Sequence, residues 1–119
     1  MSSLIKSPSN TLQVFLCSIS TALTRLLNQI AQQYIASFAT VYQPHFVEEE
    51  QRILPKLREA GELALVERVE QDHAALRALA AKPLPWTVDE VLALGELMMA
   101  HVRFEERELF PRFEQLFLT

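Results

Sequence analysis

At 119 residues the chain has room for one domain with one hydrophobic core, and not for two. Half of its residues are apolar, only two are glycine, and Leu, Ala, Glu, Gln and Arg dominate, a mixture that predicts an all-α fold. A formal net charge of −4 without a clustered basic face argues against nucleic acid or a membrane surface as partner. A single cysteine, Cys17, rules out an internal disulfide and fits a reducing, cytoplasmic setting.

Residues 1–9 are expected to be a flexible N-terminus and residues 10–119 one helical domain. The stretch TLQVFLCSISTAL after Lys6 imitates a signal peptide. Its apolar residues Leu12, Phe15, Leu16, Ile19, Leu23, Leu26, Leu27 and Ile30 nevertheless recur at threes and fours, with Ser18, Thr21, Thr24 and Arg25 on the other face. That is the pattern of a helix packed on one side. No apolar run approaches the roughly 20 residues that span a bilayer.

Ser9 and Asn10 are candidate N-caps for the first helix. Neither Gly nor Pro interrupts the chain from there to Pro44, and an unbroken rod to Gly61 would outrun a small core. A reversal is therefore expected in the polar stretch Asn28–Gln33. A second helix then carries HFVEEEQRILPKL and ends near Gly61, with Pro44 either kinking it or marking its start. A third covers about Glu62 to Ala81, with Leu63, Val66, Val69, His73, Leu76 and Ala80 on one stripe. KPLPW is a loop, and TVDE is a capping box of Thr87 and Glu90, with Trp86 placed to staple Val91. The last helix runs from Val88 nearly to the end. Four helices with short connections predict an up-down-up-down antiparallel four-helix bundle.

HVRFEERELFPRF, from His101, nearly repeats HFVEEEQRILPKL, from His45. In each copy a histidine precedes a glutamate by four residues (Glu49, Glu105), and a second glutamate and a proline follow. Positions i and i+4 share a helix face, so each copy presents an imidazole beside a carboxylate. One such pair is an ordinary solvated contact. At about 1.5 Å per residue, however, His45 and His73 both lie roughly 20 Å from the turn at Gly61, and His101 falls at the same level counted from the KPLPW loop. All three histidines of the chain then meet in one slab of the core, where ionisable groups are costly unless paired or metal-bound. The predicted metal ligands are His45, Glu49, His73, His101 and Glu105. Imidazole and carboxylate without thiolate suit Fe, Mn or Zn.

Ferritin-type centres use Glu-x-x-His. Here the order is reversed and the spacing is four. The pattern resembles the hemerythrin-like (HHE cation-binding) domains, in which H-x-x-x-E-E-x-x-L-x-P, then E/D-H-x-x-L, then H-x-x-x-E-E-x-x-L-F-P follow one another. His45–Pro55, Asp72–Leu76 and His101–Pro111 match these in order, and the likeness covers about residues 40 to 114. The resemblance implies a carboxylate-bridged di-iron centre with the histidines as terminal ligands and Glu49 and Glu105 as bridges. It also implies reversible binding of O2, sensing of O2 or NO, or iron delivery and repair.

The chain departs from that pattern on the first helix, where the family usually places a histidine and this sequence has none before His45. It also carries Arg77 where the oxygen carriers have another histidine. Gln13, Cys17, Thr21, solvent or a partner chain, as in a homodimer, are open alternatives for that corner. Fewer protein ligands leave more coordination positions open, which favours exogenous ligand binding over a storage core. Glu48, Glu50 and Glu106 are read as solvated or supporting groups, Pro55 and Pro111 as kinks near helix ends, and Phe46, Met98, Met99 and Phe104 as core or pocket lining. The leading expectation is a non-haem iron protein that binds or senses O2 or NO or handles iron. The alternatives are an oxidase-like or iron-repair enzyme at the same centre, or a metal-poor interaction module.

Overall fold

The computed structural model describes residues 8–118. The expected flexible N-terminus lies largely outside these; the chain is already helical at Pro8, so the candidate cap positions Ser9 and Asn10 lie within the helix. From there the chain runs as one rod, α1 (residues 8–59). The predicted reversal at Asn28–Gln33 does not occur. Four of those six residues are polar but none is Gly or Pro, and Gln and Ala favour helix, so nothing local breaks the hydrogen-bond ladder. At about 1.5 Å per residue a rod of this length spans roughly 78 Å, which accounts for overall dimensions of 83 × 23 × 19 Å.

Two further rods follow, α2 (Leu63–Ala80) and α3 (residues 88–117). Among the described residues the architecture is all-helical with three rods, in which the C-terminal half of α1, α2 and α3 pack antiparallel in sequence. α1 ends where expected. Gly61 adopts φ +79°, its N–H donates to the Arg58 carbonyl, and the Glu62 N–H donates to the Leu57 carbonyl, a Schellman closure that only glycine makes without strain. The capping box at the start of α3 also forms: the Glu90 N–H donates to Thr87 Oγ1 at 3.1 Å and the Thr87 N–H to Glu90 Oε1 at 2.8 Å. Trp86 is buried beside Val91, as the staple requires.

Pro44, Pro55 and Pro111 neither start nor sharply kink a helix. Each follows the last residue of a widened π-turn: Gln43, Leu54 and Phe110 donate to the carbonyls five residues back, on Phe38, Glu49 and Glu105. A proline inside a helix lacks the N–H and crowds the carbonyl four residues earlier. Widening the preceding turn accommodates the ring while the rod continues.

Two apolar clusters stack along the rods. One gathers Ala31, Tyr34, Phe46, Leu76, Trp86 and Leu94, and the other Leu54, Leu57, Val66, Val69, Phe104 and Leu109. The Tyr34 hydroxyl donates to the Leu76 carbonyl at 2.7 Å, fixing α1 against α2. Leu63, placed on the buried stripe of α2 by its spacing, faces out, as does Met99. Between the clusters lies a polar layer made by Glu49, His73, His101 and Glu105, all buried.

Candidate metal centre

α1 supplies His45 and Glu49 one turn apart, α2 supplies His73, and α3 supplies His101 and Glu105 one turn apart. Both glutamates open a π-turn, so each motif sits where the helix is widened by the following proline. The five side chains predicted from sequence are brought together. Glu49, His73 and His101 each offer a ligand atom within 4.8 Å of the others, and so do His45, Glu49 and Glu105, with Glu49 common to both groups. His45 Nε2 lies 2.8 Å from Glu49 Oε1, His101 Nε2 lies 2.9 Å from Glu105 Oε1, and His73 Nε2 lies 3.8 Å from Glu49 Oε1. Four of the five are almost fully buried, and only the His45 side chain, 52% exposed, borders solvent.

The outward nitrogens of the two buried imidazoles are held by carboxylates that arginines in turn hold. His73 Nδ1 donates to Glu50 Oε2 at 2.7 Å, and Arg77 clamps both oxygens of Glu50 at 2.7 and 2.8 Å while its Nε donates to Gln43. His101 Nδ1 donates to Asp72 Oδ2 at 2.9 Å, and Arg68 Nε reaches both oxygens of Asp72. A ring nitrogen that donates to a carboxylate fixes the tautomer, so the Nε2 lone pair of each imidazole points into the centre. Sequence reasoning treated Arg77 as a departure and missed this arrangement. Asp72 stands in the D-H pair already quoted, but the Arg77–Glu50 partnership spans 27 residues and no local spacing announces it.

Inside the layer the polar atoms lack partners. Both oxygens of Glu49, Nε2 of His73 and of His101, and Oε2 of Glu105 are buried without a hydrogen bond, despite their short separations. Such orphaned atoms are rare in native interiors. Burial pushes the Glu49 carboxyl up, and the neighbouring Glu105 adds to it; for Glu105 the burial that would raise it is outweighed by the adjacent His101 and Glu49 side chains, leaving it below its ordinary value. Burial lowers the His73 imidazole, whereas at His101 the adjacent carboxylates of Glu105 and Asp72 outweigh burial and raise it. Arg77 holds Glu50 down at about 2. Two carboxylates of which one is driven toward protonation, facing imidazoles with bare lone pairs, form a donor set that a divalent or trivalent cation would satisfy.

The family model of the hemerythrin HHE cation binding domain matches residues 12–113. The chain belongs to the hemerythrin HHE family. No curated protein and no solved structure matches it. For this HHE domain, cation binding follows from the family, and the residues that fit a cation are those of the buried layer. The corner left by the absent first-helix histidine is not filled as expected. Cys17 is exposed and stands 28 residues before His45 on one continuous rod, about 42 Å away along the axis. Gln13 and Thr21 share that projecting segment and its distance from the layer. Phe46 and Phe104 are buried and Met98 partly so, Phe46 stacking on the His73 ring with centroids 4.0 Å apart.

Proposed function

We propose that this HHE domain holds a carboxylate-bridged pair of iron ions and binds a small exogenous ligand of the O2 or NO type there. The observation that carries the reading is the set of buried, unpartnered donor atoms on Glu49, His73, His101 and Glu105, with His45 at the solvent edge. Glu49, shared by the two ligand groups, would be the bridging carboxylate. His45, His73 and His101 would be the terminal ligands, with Glu105 the second carboxylate. When bound, such a centre supplies redox-active metal with sites for a diatomic ligand. Two carboxylates and three imidazoles, with one solvent bridge, leave about three positions of two six-coordinate ions open.

The chain's own residues supply the rest. Glu50 and Asp72 keep both buried imidazoles in the tautomer that presents Nε2; Arg77 keeps Glu50 ionised, and Arg68 holds the Asp72 carboxylate in position. Phe46 closes the layer on the side of His73 and limits water there. The proposal is tested on protein purified without chelators, by elemental analysis and then by absorption spectroscopy of the anaerobic reduced form with azide, NO or O2. Two irons per chain and a new ligand-to-metal band are expected. Iron-loaded protein with no spectral response to any of the three overturns the ligand-binding reading, and protein that takes up no metal overturns the centre itself.

A further inference from the structure

The N-terminal half of α1 projects from the bundle with its apolar stripe bare. Leu12, Phe15, Leu16, Ile19, Leu23 and Leu26 are all about half exposed, and burial begins only at Ala31. α3 carries a second bare stripe: Val88, Leu92, Met99 and Val102 recur at helical spacing, and all are exposed. One chain thus presents two apolar stripes that no other described residue covers.

We infer that these stripes cover each other between two copies of the chain, which pair antiparallel and exchange their projecting segments about a two-fold axis. The lengths fit. Because each bundle begins at Ala31, two copies clear one another only if their α1 rods cross near Ile30. Since His45 and His101 lie at one level, that crossing sets Ile30 of one copy level with Val88 of the other, and Phe15 level with Val102, at about 1.5 Å per residue along both rods. The segment then spans the α3 stripe from end to end. Two reciprocal patches of ten half-exposed apolar side chains bury on the order of 1,600 Å2, the size of a stable specific interface. The exchange is isologous and closes at two copies.

A bilayer is the competing occupant: against the expectation from the sequence that no apolar run would span one, α1 is long and apolar enough by length and composition to do so. The stripe argues against it. Gln13, Ser18, Thr21, Thr24, Arg25 and Asn28 occupy the opposite face of the same segment, and a spanning helix would set them in hydrocarbon.

The native cysteine makes the test direct. Cys17 is exposed and alone of its kind, so a spin label placed there reports one distance per dimer. The exchanged pair predicts sedimentation as a dimer and a label separation of about 40 Å, from 27 residues of rise along the two rods. Leu23→Glu and Leu92→Glu, on surfaces exposed within one chain, are each expected to give a folded monomer without dipolar modulation. Thr24→Glu on the opposite face is expected to leave the dimer and the distance intact. A monomer at micromolar concentration whose projecting segment is protected from hydrogen exchange, as folding back would produce, overturns the inference. So does a dimer that survives Leu23→Glu, or co-flotation of the protein with phosphatidylcholine and phosphatidylglycerol vesicles in place of self-association.

Discussion

Arg77→Met removes the clamp on Glu50 and leaves the rest of the layer in place. Glu50 is held at about 2 against an ordinary 4.5, a preference for the ionised form of roughly 3 kcal/mol at 1.36 kcal/mol per pH unit. That value is shared with His73, and with side chains 29% and 33% exposed the Glu50–Arg77 pair is screened by solvent, so the loss expected at pH 7 is about 1–2 kcal/mol. A carboxylate whose folded pKa is depressed contributes stability above its unfolded pKa and loses it as pH falls through the folded one. Wild-type stability should therefore decline from pH 4.5 toward pH 2, and the variant should be flatter over that window. Urea unfolding at fixed protein concentration measures the first quantity, and NMR titration of Glu50 the second. Metal affinity should fall by roughly 10- to 100-fold, because the His73 ring loses its fixed orientation. A stability change under about 0.3 kcal/mol, with Glu50 still titrating near 2, would refute the clamp.

Glu49→Gln should act in opposite directions on the two forms of the protein. Glu49 has a raised pKa, about 8, so metal-free wild type should lose stability as pH rises from 4.5 to 8, and the variant should not; chemical denaturation across that range checks it. Replacing both Glu49 and Glu105 by Ala should abolish metal content, and unchanged stoichiometry by elemental analysis would remove them from the ligand set. Phe46→Ala empties the space between His73 and the first apolar cluster and should cost about 3–5 kcal/mol by urea titration. Removing metal with a chelator should lower Tm, because a ligand that binds only the native state stabilises it, and a Tm indifferent to iron would count against a central site.

The elements that local chemistry dictates were legible in the sequence: the capping box at Thr87 and Glu90, the stop at Gly61, and the two i,i+4 motifs whose convergence with His73 follows from helix length. What failed rested on shape. The reversal at Asn28–Gln33 was required by a compact single chain and by no residue in it, and Gln and Ala continued the helix. The placement of Cys17 and Gln13 near the metal inherited that error. The arginine–carboxylate–imidazole relays were hidden for another reason, since Glu50 and Arg77 meet only after two rods have packed.

The widened turns bear on how ligands and core are phased around one rod. In a regular helix of 100° per residue Glu49 and Leu54 would point about 140° apart, and Leu57 about 80° from Glu49. The extra residue in the turn winds these offsets back to roughly 40° and 20°, so that carboxylate and leucines all face inward, as their burial shows. The same resetting occurs at Glu105, ahead of Pro111. The two prolines therefore act at a distance on the buried layer: replacing Pro55 or Pro111 with a residue that lets the turn tighten would rotate the hydrophobic floor and the carboxylates out of register, although both prolines are exposed.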